Sequence, residues 1–291
     1  MNLHSIASGY YLEALSVTGE EIWFSDVIQG GIQRISAAGK VDRWLPERLW
    51  IGGVLLNEDG CALVSGAGGI TWLDPTRGSS GMLLDAIDGQ PLDGVNEMFP
   101  DGDGGLYFGT VDIPSIERGR TTRPASICRL EKNGRVTRLI EGLRFSNGMS
   151  LSPDGRKLYH NESFVGTFVH DVDPAGGLGE ARMLLDKPDC DGMAVDVEGG
   201  IWITGFNSNE VIRLRPDGTV WRRVPIPAEA ATNIRFGGTD LMDLYITTVT
   251  RDSVAAIVKG TPPTAPTSVL YRARWDVAGM NSTRPGFAIR A

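Results

Sequence analysis

Glu13, Asn96, Asn147 and Asp191 place four oxygen donors at a nearly constant distance ahead of one recurring strand signature. They stand 9, 10, 11 and 10 residues before Ile22, Leu106, Leu158 and Ile201. Two carboxylates and two amide carbonyls suit one hard divalent cation: calcium first, with magnesium, manganese, zinc or iron as alternatives. Carboxylates gathered without a cation would repel and raise one another's pKa. An Asn or Asp before Gly, as at Asn147-Gly148 and Asp191-Gly192, also forms turns. Glu13 and Asn96 precede no glycine, however, and Glu is no turn former, so the shared offset points to convergence on one site.

The elements that must bring them together follow from the repeat. Six segments combine an acidic or Gly-rich loop with a short apolar strand: EEIWFSD from Glu20, EDGCALVSG from Glu58, GDGGLYFGT from Gly102, PDGRKLYHNE from Pro153, VEGGIWITG from Val197 and TDLMDLYITT from Thr239. With Ala62 and Leu244 as the equivalents in the second and sixth, the intervals are 40, 44, 52, 43 and 43 residues, close to the spacing of propeller blades. Further strand-like runs follow most signatures, and Asn133-Gly134 and Asp217-Gly218 between such runs are strong hairpin signals. The only helix suggested, from Asp252 to Lys259, ends at a Gly260-Thr261-Pro262-Pro263 loop. The expectation is an all-β, six-bladed β-propeller with a central metal-binding channel, forming a single domain over residues 1–291. Its N-terminal residues should pair with the segment near Ser268 to Asp276, because closure removes exposed sheet edges. Equivalent positions of successive blades are related by rotation about the axis, so residues at one offset form a ring.

Composition narrows the partners. Lys plus Arg number 28 against 36 Asp plus Glu, a net charge of −8 with no basic run, which disfavours nucleic acid and anionic membranes. Cys61, Cys128 and Cys190 are odd in number and widely spaced, so they suggest neither a disulfide framework nor a zinc knuckle. Of these, Cys190 is the one beside a candidate ligand. The start of the chain lacks the parts of a secretory signal and no span approaches the length of a membrane helix, so the expected location is cytoplasmic. His4, His160 and His170 provide little material for a His-based triad, and His160 is expected to be structural or at a rim.

The segments VNEMFPDGDGGLYFGT from Val95, FSNGMSLSPDGRKLYHNES from Phe145, CDGMAVDVEGGIWIT from Cys190 and IRFGGTDLMDLYITT from Ile234 together resemble the gluconolactonase/regucalcin family of six-bladed propellers. The resemblance covers nearly the whole chain and is weakest at its start and between Val111 and Pro124. It implies a divalent cation in the channel held by Glu13, Asn147 and Asp191, with Asn96 close by, and an enzyme that hydrolyses sugar lactones. Two departures matter. The family's Glu-Gly-Pro-x-Trp is Glu13-Ala14-Leu15-Ser16-Val17 here, and an Arg that often binds substrate hydroxyls is replaced by Gly94.

The expected activity is therefore a metal-dependent hydrolase of a cyclic or carboxylic ester, opening a lactone less polar than an aldonolactone. A small molecule is the partner. The alternatives are a metal-dependent lyase or isomerase on the same site, or a non-catalytic propeller stapled by its cation. Asp191 and Glu97 are the candidate catalytic carboxylates. Asn233, 11 residues before Leu244, is the candidate substrate hydrogen-bonder, with Trp50 and Phe99 as apolar substrate contacts.

Overall fold

The computed structural model describes residues 2–259 and 263–289. Six antiparallel sheets surround one axis, and each begins with an innermost strand: Leu12–Thr18, Val54–Leu56, Gly94–Pro100, Ser146–Leu151, Cys190–Val195 and Ala230–Gly237 in blades 1 to 6. Blade 3 gains a fifth short strand, Gly66–Ala67, against Gly94 and Val95. Closure runs as expected: His4–Gly9 pairs antiparallel with Ser268–Arg274 and completes blade 6. The expected loop at Gly260 to Pro262 lies outside the described residues.

The recurring signature is explained by the loop it begins with. Asp101 and Asp196 each accept two backbone N–H bonds within their own loops, at 2.8 to 3.0 Å, and each also binds an Arg from the third strand of its blade, Arg129 at 2.7 Å and Arg213 at 2.6 Å. The polar loop thus caps the sheet while the following apolar run turns inward. Six apolar clusters fill the six inter-blade spaces, from Leu12, Phe24 and Tyr245 between blades 6 and 1 to Trp202, Ile246 and Trp275 between blades 5 and 6. The inner strands of the sheets are buried on both faces, which is why they read as apolar runs.

Two helices rise from one end of the channel. α1, Ile113–Glu117, follows the second strand of blade 3, and α2, Arg251–Lys259, follows the second strand of blade 6. Blades 3 and 6 are opposite one another, and the two helices approach each other across the opening. At the other end the C-terminal segment crosses the propeller. Met280 donates its N–H to Val195, Glu58 to Pro285 and Gly286 to Gly104, and Phe287 is buried between blades 2 and 3. No helix among the described residues is long and apolar enough to cross a membrane.

Asn57 anchors that crossing segment. It is fully buried, its Nδ2 donates to the Phe287 carbonyl at 2.8 Å, and its Oδ1 accepts from the Phe287 N–H at 3.0 Å. Asn57→Ala leaves two buried backbone groups unpaired and should lower unfolding stability by about 2 to 4 kcal/mol. Denaturant unfolding checks this, with the β-sheet circular dichroism signal expected to stay unchanged.

Candidate functional site

The four candidate ligands reach the axis because the inner strands are bulged there. Pairing with the second strand slips between Glu13 and Ser16, Val95 and Met98, Ser146 and Met149, and Cys190 and Met193, and again between Ala231 and Asn233. A bulge re-aims the side chains beside it. Glu13, Asn96, Asn147 and Asp191 consequently line one cavity of about 330 Å³. Blade 2 has no slip and presents Gly52, where an added Cβ would fall 2.1 Å from Asn96 Oδ1. The glycine leaves room for its neighbour's amide.

Gly148 and Gly192, expected as possible turn residues, lie inside strands instead. A Cβ at Gly148 would fall 2.6 Å from the Asp191 carbonyl, and one at Gly192 would fall 2.6 Å from Asn233 Cα. Both positions are glycine because neighbouring inner strands press together at the axis.

Hydrogen bonds orient the candidate ligand side chains. Asn96 Nδ2 donates to the Ser146 carbonyl at 3.0 Å, and Asn147 Nδ2 donates to Ser163 Oγ at 3.2 Å. These bonds leave both amide oxygens without a donor among the described residues. Glu13 Oε1 accepts from Asn233 Nδ2 at 2.9 Å and from the Ala14 N–H at 3.2 Å. Neither Glu13 nor Asp191 has a Lys, Arg or His within ion-pair distance among the described residues. Burial is the main force raising the Glu13 pKa to about 8, with the Glu97 charge adding to it against the pull of Asn233. Burial also holds the Asp191 carboxyl well above its ordinary range, reinforced by Glu13.

Other expected site residues fall elsewhere. Asn233 is buried outside the cavity lining, and its amide is fully engaged: Nδ2 reaches Glu13 and Glu97, and Oδ1 accepts from the Ile234 N–H and Arg235. It holds carboxylates rather than facing a ligand. Glu97 is buried below the cavity, with Oε2 2.9 Å from Arg235 Nη2 and 3.0 Å from Asn233 Nδ2. Phe99 packs between blades 3 and 4 toward the opposite end of the channel, so it makes no wall of this cavity. Trp50 does line it, while Ile51, Met98 and Met149 pack between blades. His160 and His170 stack in blade 4 with ring nitrogens 3.1 Å apart, and burial pushes His160 down to about 3. Cys190 touches the cavity, but burial pushes its thiol up to about 12, so it is no nucleophile there.

The walls contain residues that the repeat did not single out. Tyr11, Ile113, Phe164 and Phe206 join Trp50 and Phe145. Burial raises the Tyr11 phenol well above its usual range, with Asp191 and Glu13 adding to it, so it stays a hydrogen-bond donor. Trp50 and Phe164 hold left-handed backbone, φ 59° and 73°, which is rare for bulky residues and presents both rings at the rim. Trp50 Nε1 donates to Glu117 of α1 at 2.8 Å. Ile113 fills the space beside Gly94: a Cβ there would fall 2.3 Å from Ile113 Cδ1. A signal for α1 was present in Asp112-Ile113-Pro114, since Asp112 caps the helix by accepting from the Ser115 N–H and Pro fits the first turn.

Known proteins share this sequence pattern and this fold. The sequence model described as SMP-30/Gluconolactonase/LRE-like region matches residues 14–250, beginning one residue after Glu13. A 6-deoxy-6-sulfogluconolactonase of Pseudomonas putida is 29% identical over 246 residues, 80% of each chain. A pentonolactonase of Haloferax volcanii is 27% identical over 278 residues, 92% of this chain and 90% of its own. The crystal structure of a calcium-binding protein, regucalcin, from Agrobacterium tumefaciens superposes with a TM-score of 0.79 at 19% identity, covering 98% of this chain and 96% of its own.

The raised Glu13 carboxyl fixes a pH dependence. With a folded-state pKa of about 8 against an ordinary 4.5, the folded protein binds a proton that the unfolded chain releases. Stability of cation-depleted protein should therefore fall as pH rises from about 4.5 to about 8. Thermal unfolding across that range checks it, with Glu13→Gln expected to flatten the slope.

Proposed function

Because the chain belongs to the SMP-30/gluconolactonase/LRE-like family, we propose that it is a divalent-cation-dependent hydrolase that opens a lactone less polar than an aldonolactone. One observation carries the reading. Two buried carboxylates and two oriented amides meet at the floor of a cavity whose walls are mostly apolar and aromatic.

The donor set fits a cation. Among the described residues Glu13 and Asp191 carry no paired cationic side chain, and the oxygens of Asn96 and Asn147 are left open by the bonds their nitrogens make. Oxygen donors alone favour calcium, with magnesium or manganese next. A divalent cation held by Glu13, Asn147 and Asp191, with Asn96 beside them, would supply Lewis-acid polarisation of an ester carbonyl. The 6-deoxy-6-sulfogluconolactonase and pentonolactonase relatives support lactone opening as the reaction.

The chain's own residues divide the remaining work. Asp191 lines the cavity whereas Glu97 is tied to Arg235 and Asn233 beneath it, which supports the Asp191 carboxylate as the group that takes a proton from an attacking water. The Tyr11 hydroxyl offers a donor to the ring or carbonyl oxygen of the ester. Trp50, Ile113, Phe145, Phe164 and Phe206 exclude bulk water and receive the substrate's ring. A polyhydroxylated sugar would leave hydroxyls unpaired against these walls, at about 1–3 kcal/mol each.

Asp191→Ala should abolish cation-dependent hydrolysis and weaken cation binding while sheet content stays at the wild-type level. Calorimetric titration beside a lactone hydrolysis assay checks this, and full turnover by the cation-depleted variant would refute the mechanism.

Specificity gives a second test. kcat/KM for an aliphatic or aromatic lactone should exceed that for gluconolactone by ~10-fold or more, the effect of about one unpaired hydroxyl or more. Gly94→Arg alone should impair both substrates by striking Ile113, whereas Gly94→Arg with Ile113→Ala should move the ratio toward the sugar. A wild-type preference for gluconolactone would overturn the apolar reading.

A further inference from the structure

Beneath the cavity floor a single guanidinium ties three blades together. Arg235 follows Asn233 by two residues on the inner strand of blade 6, and its side chain is 15% exposed. Its Nη1 donates to the Met193 carbonyl of blade 5 at 2.7 Å, to Asn233 Oδ1 at 2.7 Å and to the Ile234 carbonyl at 2.8 Å. Its Nη2 faces Glu97 Oε2 of blade 3 at 2.9 Å. Asn233 extends the network upward, with Nδ2 donating to both Glu97 and Glu13 of blade 1.

Three carboxylates therefore share the channel, and they are not equivalent. Glu97 has a cationic partner, whereas among the described residues Glu13 and Asp191 have none within ion-pair distance. We propose that Arg235 is a positioning residue that sets the charge of the floor. It neutralises Glu97, leaves the two negative charges of Glu13 and Asp191 for one divalent cation, and through Asn233 fixes the direction of Glu13. The proposal rests on the reading of the floor as a divalent-cation site. Charges this close in a channel of low polarity interact strongly, and removing one partner of a buried pair leaves the other uncompensated. Without Arg235 the floor would hold three unpaired carboxylates, one more than a divalent ion balances.

A plain structural fastening predicts something different. If Arg235 only staples blades, its loss would cost the same stability with or without cation, and the nature of residue 97 would not matter. Thermal unfolding of wild type, R235M, R235K and R235M/E97Q, each chelator-treated and then with saturating Ca²⁺ or Mn²⁺, separates the two. The expected result is that cation-free R235M melts roughly 5–10 °C below wild type, the size of breaking a buried charge pair. Added cation should recover at least half of that loss. E97Q, which keeps an acceptor for Asn233 but removes the charge, should recover most of it without any cation, and R235K should stay close to wild type. A loss in R235M that is equal in both conditions and untouched by E97Q would overturn the charge-setting role. Failure of the wild type to respond to either cation would instead sink the cation site itself, and the cation-free comparison of R235M with R235M/E97Q would still decide the role of Arg235.

Discussion

Glu13 and Asp191 are buried in one channel, close enough that the Glu13 charge helps hold Asp191 above its ordinary range, and among the described residues neither has a Lys, Arg or His within ion-pair distance. Desolvating two like charges side by side is among the most unfavourable arrangements a fold can hold. Much of the inner structure is arranged around that fact. Bulges turn the inner strands so that the carboxylates and the two amides line one cavity. Glycines at 52, 148 and 192 let those strands come close enough to share it. Below, Asn233 steadies Glu13, and Arg235 removes the third acid, Glu97, from the sum.

The closed ring of sheets makes such an arrangement tolerable. Six inter-blade apolar clusters and the strand from His4 to Gly9 fix the inner strands from outside, so their bulged and crowded geometry is held by packing distant from the axis. The channel is also asymmetric. The crossing C-terminal segment covers one end, while α1, α2 and the rim aromatics shape the other. Under the proposed function, substrate access and chemistry fall on the same side, where apolar walls would strengthen the electrostatic interactions on the floor.

Much of this was legible in the sequence, for identifiable reasons. Blade number and closure follow from the spacing of one strand signature, because each repeat buries the same apolar pattern. The constant offset of Glu13, Asn96, Asn147 and Asp191 reports the bulges, although nothing in the residue types announces a bulge. The same offset misled at Asn233, because it gives a position along the strand but not whether the side chain faces the cavity or supports its floor. Phe99 lies only three residues past Asn96, yet that distance along a strand carries it to the opposite end of the channel. Ile113 and α1 fall where the repeat is interrupted, so their contribution to the wall required the structure, apart from the capping signal at Asp112.

The central claim is that Glu13, Asn147 and Asp191 hold one divalent cation. The most direct test is crystallography of manganese-soaked protein with anomalous scattering data. A single strong peak on the channel axis within bonding distance of those three side chains is the predicted result. A well-ordered cavity with no peak there, or manganese bound only elsewhere, would contradict it.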